Sequence, residues 1–371
     1  MRSTPYRVAV IGHTGRGDYG HGLDTMWLQL PDTELVAVAD ADAQGLQAAL
    51  KRLKIRTGFA DYRKMLAEVK PDIVAICPRH IDQHHEMLLA AIQAGARGIY
   101  IEKPFCRTPA EADEVLASAE RRKTRIAVAH RNRYHPVLPV IQKLLAEDTL
   151  GRVLEIRARG KEDQRGGALD LWVLGSHVLN LSTVFAGRPL ACSAAVLQNG
   201  KPATRADVKD GDEGVGPLVG NEIHARFEME RGIPVFFDSI ADAGSASVGF
   251  GLQLIGTKGI IDLRTDKEPL AQMRLGNPFE PTSEPRAWVP LSTAGVGKPE
   301  PIMGLDKRLA AHLVSGRDLL AALQENREPL CNLREAATTI EMISAVFESH
   351  RTGGQRVTLP LKVRQNPMRM L

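Results

Sequence analysis

The chain has 371 residues, 43% hydrophobic and 25% charged, with a formal net charge of +4. This balance excludes a disordered or fibrous chain, and the length is enough for two domains with cores of their own. No 18-residue apolar run occurs, so no membrane span is expected, and the one tight basic cluster, Arg121-Arg122-Lys123, closes a predicted helix, where it suits the dipole rather than nucleic acid. The first residues run straight into a strand pattern, with no separate apolar segment and cleavage site ahead of it. Cys77, Cys106, Cys192 and Cys331 are widely spaced, without C-x-x-C, which argues against zinc and disulfides and for a reducing, cytoplasmic setting.

The first element is an apolar run, Val8 to Ile11, that stops at Gly12 and is followed by Gly15, Gly17, Gly20 and Gly22. Apolar residues then return at helical spacing around Leu23, Met26, Trp27 and Leu30, which predicts strand, tight glycine turn and helix. A helix beginning there would point free N–H groups at a phosphate. A second run, Leu35 to Ala39, ends on Asp40, 23 residues beyond Gly17, near where an acid holds a ribose hydroxyl. Against the G-x-G-x-x-G pattern the middle position is Thr14, which leaves Gly15 to supply the close approach. A ligand-free glycine-rich turn is the bland alternative; the flanking strand–helix–strand–acid order favours a dinucleotide.

Strand and helix patterns alternate through the rest of the first third. Helices are expected over 43–53, 62–69, 84–94 and 109–122, and strands over 57–60, 72–77, 98–101 and 125–129. Together they predict a doubly wound parallel sheet whose ligands bind beyond the strands' carboxyl ends. After Ala129 the pattern changes. Helices over 136–147 and about 169–185 flank a strand over 152–160, and strands follow over 224–229, 233–240 and 252–263, the last broken at Gly256 and Gly259. Residues 199–220 and 276–304 read as irregular, and helices return over 307–324 and 334–349. The domains are then 1–130, a Rossmann domain, and 131–371, an α+β domain with a mostly antiparallel open-faced sheet, the final helices packing back on the first.

Three places invite chemistry. Lys103 follows a buried strand between Glu102 and Pro104 at the ligand edge, where partial desolvation would lower its pKa and suit it to proton transfer. The competing reading is a surface ion pair with Glu102, which alternation on an extended chain does not favour. His177 and Asp170 lie in GGALDLWVLGSHVLNL. Asp170 is an N-cap candidate; Asp170, Leu174 and His177 share a face of a continuous helix, but the rise of roughly 10 Å between Asp170 and His177 forbids a direct couple. Alone, a helical histidine reads as a satisfied core residue. His80, His84 and His85 raise a metal site, but Pro78 and an expected cap at Asp82 put His80 outside the helix, so no metal is expected and His80 is left to touch the cofactor.

Taken together, ADYRKMLAEVKPDIVAICP, HEMLLAAIQAG leading to EKP, RNRYHPVLPVIQKLLAEDTLGRV, GGALDLWVLGSH and REAATTIEMISAVFESHRTGGQRVTLP resemble the Gfo/Idh/MocA oxidoreductase family, the glucose–fructose oxidoreductase and inositol dehydrogenase group. The likeness runs from the first strand to Leu361. It implies a Rossmann domain, a C-terminal α+β domain whose open sheet face serves oligomerisation, a sugar or cyclitol substrate, and NAD or NADP. The chain departs from the family at Val173, where an aspartate usually stands four residues before the histidine, at Cys77-Pro78-Arg79 in place of T-P-N, and in the extended glycine turn.

The expectation is an NAD-dependent oxidoreductase of a sugar, cyclitol or derivative, with NADP less favoured because Asp40 repels a 2′-phosphate. Lys103 and His177 would act on the hydroxyl, with Asp170 in support. Gly12, His13, Thr14, Gly15, Arg16, Gly17, Asp40, Pro78, Arg79, His80, Glu102 and Lys103 would hold the cofactor. Two alternatives stand beside it: net non-redox glycoside cleavage through a transient keto-sugar, and a non-catalytic dinucleotide sensor. The expected partners are a small carbohydrate or polyol and further copies of the chain in a homodimer or homotetramer, with no nucleic acid and no membrane.

Overall fold

The computed structural model describes residues 4–243, 250–265, 267 and 269–371. Two compact units emerge: residues 1–134 with 212–216 and 306–337, and residues 135–211 with 217–305 and 338–371. The returning stretch 306–337 therefore belongs with the first unit, although it falls inside the expected second domain.

The first unit is built on a six-stranded parallel sheet, in order β3-β2-β1-β4-β5-β6. The strands are β1 (Tyr6–Ile11), β2 (Thr33–Ala39), β3 (Gly58–Phe59), β4 (Ile73–Ile76), β5 (Gly98–Ile101) and β6 (Arg125–Val128). Their register sets the site. Ile11 pairs with Ala39 and with Ile76, Ile76 with Ile101, and Ile101 with Val128, so the carboxyl ends are level. Gly12, Asp40, Cys77, Glu102 and Ala129, each one residue past its strand, then form a row along one edge.

Helices α1 (Ala43–Leu53), α2 (Tyr62–Val69), α3 (His84–Gln93) and α4 (Pro109–Arg122) connect the strands. Three of them start where a side chain satisfies an orphan N–H. Asp42 accepts from Gly45, Asp61 from Arg63, and Thr108 from Glu111 with Pro109 in the first turn. Helix α3 lacks such a cap: the expected cap, Asp82, lies instead in a 3₁₀ turn, Ile81–Gln83. Helices α2, α3 and α4 form a row on one face of the sheet. On the other, Ala49 and Leu53 of α1 share a core with Val8, Val10, Trp27 and Tyr100, and with Leu319 and Leu320 of the returning helix Leu313–Glu325.

One expected element is absent. After β1 the chain forms turns through residue 25 and then only a four-residue 3₁₀ helix, Met26–Gln29. The reason lies in the backbone: Gly15, Gly17, Gly20 and Gly22 all have positive φ, as does Asp18, and that sequence of left-handed residues cannot build a right-handed turn. The phosphate site at an α-helix N-terminus expected here is therefore not formed.

The second unit holds an eleven-stranded sheet. It is antiparallel except where Val153–Arg159 runs parallel to Val235–Ile240. It differs from expectation in several places: Pro189–Gln198, a ten-residue strand, and Ala271–Leu275 lie where no strand was expected, and Val289–Ser292 lies inside a stretch expected to be irregular. Helix Ala168–Ala186 packs on the sheet; it is long and apolar enough to cross a bilayer by composition, and most of it is buried in the protein. The sheet face turned away from this helix is polar. His224 bonds to Glu222 and Asp238, Arg226 and Arg356 pair with Glu228, and Arg157 pairs with Glu155. Charges matched within the face remove the apolar argument for a covering partner.

Candidate active site

The loop after β1 lies across the row of strand ends. Tyr19 reaches the end of β2, where its hydroxyl donates to Asp40 at 2.9 Å. A Cβ on Gly20 would meet the Cys77 carbonyl past β4, and His21 Nδ1 lies 3.4 Å from Glu102 Oε2 past β5. The loop is fastened to the segment after β4 by Arg16 to Asp82 at 2.5 Å, His13 Nδ1 to Gln83 at 2.7 Å, and the Arg79 N–H to the Gly17 carbonyl. A Cβ on Gly17 would stand 2.4 Å from the Arg79 nitrogen, so only glycine permits that approach.

Asp40 is buried and fully engaged by its own chain. Its oxygens accept from the Thr14 N–H and hydroxyl, the Tyr19 hydroxyl and the Asp42 N–H. Gly45, at the start of α1, makes room for this: a Cβ there would overlap Thr14. Asp18 in turn accepts from the Gly15 N–H. Two carboxylates thus hold N–H groups of the glycine turn that face a pyrophosphate in a standard dinucleotide site. Asp40 still lines a cavity of about 200 Å³ with Gly12, His13, Ala60, Tyr62 and Met87, beyond the ends of β1 and β2. An apolar wall, an aromatic ring and an acid at that edge fit the adenosine half of a dinucleotide.

Lys103 and Glu102 lie side by side past the end of β5. The strand ends at Ile101, so alternation no longer separates the two side chains, and Nζ lies 3.8 Å from Oε1. Both are buried. Burial would raise the Glu102 pKa, but His21, Lys103 and His312 bring it down to about 2. Burial lowers the Lys103 pKa, against the pull of Glu102 and Glu213, and Arg79 and Arg131 add to the fall. Burial thus disfavours the charged lysine, beside a carboxylate held well below its ordinary range.

The three histidines of the sequence separate. His80 precedes the 3₁₀ turn, near the backbone of Gly17. His84 is buried with both ring nitrogens on carbonyls, and His85 pairs with Glu114 at 3.0 Å. Among the described residues no group of three or more His, Cys, Asp or Glu side chains is placed to hold a metal.

In the second unit, Asp170 and His177 lie on one helix with different surroundings. Residues Leu171–Gly175 make a π turn, so the simple helical phase between the two is lost. Asp170 is inside the helix rather than at its N-cap, and is wholly buried: Oδ2 accepts from the Ser239 hydroxyl at 2.6 Å and the Glu162 N–H at 3.0 Å. Burial raises its pKa, opposed by these bonds. Val173 is buried. His177 is half-buried, its ring edge-on to Phe250 with centroids 6.2 Å apart.

Sequence reasoning passed over Tyr19 and His21, and weighed His84 only as a metal ligand. The first two carried a signal, a glycine loop too long for a plain turn.

Family models match both parts of the chain. Residues 6–130 match the oxidoreductase family's NAD-binding Rossmann fold, and residues 143–359 its C-terminal α/β domain. The chain is 29% identical to D-glucoside 3-dehydrogenase of Escherichia coli over 204 residues, 51% of this chain and 56% of that protein. It is 24% identical to D-apiose dehydrogenase of Paraburkholderia graminis over 88% of this chain and 84% of that one. Among solved structures, a levoglucosan dehydrogenase in complex with NADH and levoglucosan aligns over 96% of this chain and all of that one, with TM-score 0.75 and 18% identity. With both family models matched across most of its length, the chain belongs to the Gfo/Idh/MocA oxidoreductase family, a family of NAD-dependent enzymes.

Proposed function

We propose that this protein oxidises a secondary hydroxyl of a sugar, cyclitol or glycoside, with NAD preferred over NADP. The observation that carries the reading is the buried Lys103–Glu102 pair at the level carboxyl ends of the parallel strands. When bound, NAD supplies a two-electron acceptor for the hydrogen on the carbinol carbon. Lys103, as the neutral amine, takes the hydroxyl proton at Nζ. Glu102 remains a carboxylate and steadies the ammonium that forms. His177 is assigned the orienting role, and Asp170 holds its own helix in place through the Ser239 hydroxyl and the Glu162 N–H. The negative charge of Asp40 in the cavity wall disfavours a 2′-phosphate, and Arg16, the side chain that could offset it, is paired with Asp82. The curated relatives point to the substrate class: the two described above are named for a glucoside and for apiose.

The test is a panel of D-glucose, methyl β-D-glucopyranoside, D-apiose and myo-inositol, followed by reduced-nicotinamide absorbance and product mass. Lys103→Ala should lower turnover on the best of these by about 100- to 10,000-fold, with NAD affinity changed far less. Full activity in that variant would overturn the assignment.

A further inference from the structure

His84 is used by nothing described so far. It is the first residue of α3, its side chain is completely buried, and both ring nitrogens face backbone carbonyls. Nδ1 is 2.8 Å from the Pro104 oxygen and Nε2 is 2.7 Å from the Pro78 oxygen. A carbonyl oxygen only accepts, and a neutral imidazole has a single N–H. At these distances a neutral ring would aim a nitrogen lone pair at one of the two oxygens. Turning the ring over would put carbon atoms against the carbonyls and lose both contacts.

The two carbonyls belong to neighbouring strand exits. Pro78 follows β4 by two residues and Pro104 follows β5 by three, and β4 and β5 end level with each other. Pro104 is joined directly to Lys103. We propose that His84 is held as an imidazolium whose two N–H groups clamp the carbonyls of Pro78 and Pro104, and that this clamp fixes the turn carrying Lys103. His84 is thus a positioning residue. Its catalytic consequence rests on Lys103 being the proton-transfer group; the clamp itself does not.

The charged groups facing the ring are the carboxylates of Glu102, past β5, and Asp82, in the 3₁₀ turn. Burial is the largest influence and lowers the pKa below its ordinary value; against it stand the two carbonyls, which accept and cannot donate, and both carboxylates. Oδ1 of Asp82 is buried without a hydrogen-bond partner, while its Oδ2 pairs with Arg16.

The test uses the full chain with ¹⁵N-labelled histidine at pH 7 and no substrate. Long-range ¹H–¹⁵N spectra should contain one histidine, missing from His84→Gln, in which both ring nitrogens have the shift of a protonated nitrogen. A pyridine-like shift for either nitrogen would overturn the proposal. Hydrogen exchange read by mass spectrometry tests the positioning. Peptides over residues 101–106 should exchange about 10-fold faster in His84→Gln, with those over 6–11 unchanged. Equal exchange in both proteins would also overturn it. Should that variant not fold, the same peptides are followed in the wild type as pH rises. Their protection, corrected for intrinsic rate, must fall as the second ring proton is lost, and constant protection refutes the clamp. Because neither readout needs turnover, failure of the clamp is distinguishable from failure of the Lys103 assignment.

Discussion

Glu102→Gln keeps the shape of a buried side chain and removes one charge 3.8 Å from the Lys103 amine. At an effective dielectric of ~20, unit charges at that distance attract by about 4.4 kcal/mol, or about 3 pKa units. Both side chains are at most one-tenth exposed, so solvent screening takes little away. His21 shares the carboxylate, which reduces the loss felt at Lys103, and the expected fall in its pKa is about 2 units. The sign follows from the charge: without the carboxylate the ammonium is disfavoured, so the free amine persists to lower pH. For an oxidation that needs the amine, the acidic limb of kcat/KM should move down by about 2 pH units. The assay is the pH profile of kcat/KM on the best substrate of the panel, wild type against variant. A limb within about half a unit of wild type would show that Lys103 is not the titrating base or that Glu102 does not hold it. Stability gives a second reading. The Glu102 pKa of about 2 lies below its ordinary 4.5. Its carboxylate therefore contributes about 3 kcal/mol above pH 4.5, and this is lost as pH falls toward 2. The variant should lack that acid dependence.

Other substitutions separate chemistry from architecture. Asp170→Asn presents an amide where the Glu162 N–H and Ser239 hydroxyl need an acceptor, and should cost about 2–4 kcal/mol in denaturant unfolding, with a smaller loss of turnover than Lys103→Ala. Because burial raises the Asp170 pKa, whatever stability that carboxyl adds is full below its unfolded value and declines as pH rises through the folded one, which urea melts at several pH values will show. His177→Asn should hold its melting temperature and lose turnover per folded molecule; the reverse order would make His177 a packing residue. Gly17→Ala forces a side chain onto φ +84° and into the Arg79 backbone, and calorimetry should find NAD binding weakened by about 10-fold or more.

The parallel sheet was legible because β1, β4 and β5 are short apolar runs closed by glycine, proline or an acid, and three of the four connecting helices start at a capping side chain. The position of Lys103 was legible for the same reason: the end of β5 could be placed, and Lys103 follows it by two residues. The loop from Gly12 to Thr25 was not. Its spacing of Leu23, Met26 and Leu30 fits a helix, and only the φ values of four glycines show that the apolar residues are delivered by turns instead. The engagement of Asp40 depends on Tyr19, 21 residues away, and no local pattern reports such a bond. Alternation in strand Pro189–Gln198 is blurred by a run of alanines, which bury without marking a face. The Asp170–His177 relation failed through the π turn, since period 3.6 assumes an uninterrupted helix.

Helix Leu313–Glu325 has a bearing on how the protein is made. Leu319 and Leu320 complete the core that holds Trp27 and Tyr100, yet 171 residues, broken only by the short return at 212–216, separate Tyr134 from Asp306. At ~5–20 residues per second a ribosome needs roughly 10–30 s to cross that interval. Through it the nascent first unit has all six strands and an unfinished wall, with aromatic side chains facing a vacancy that later sequence fills. The usual order, in which an N-terminal domain closes before the next one emerges, is not available to this chain. Its first unit matures only after most of its second has been synthesised.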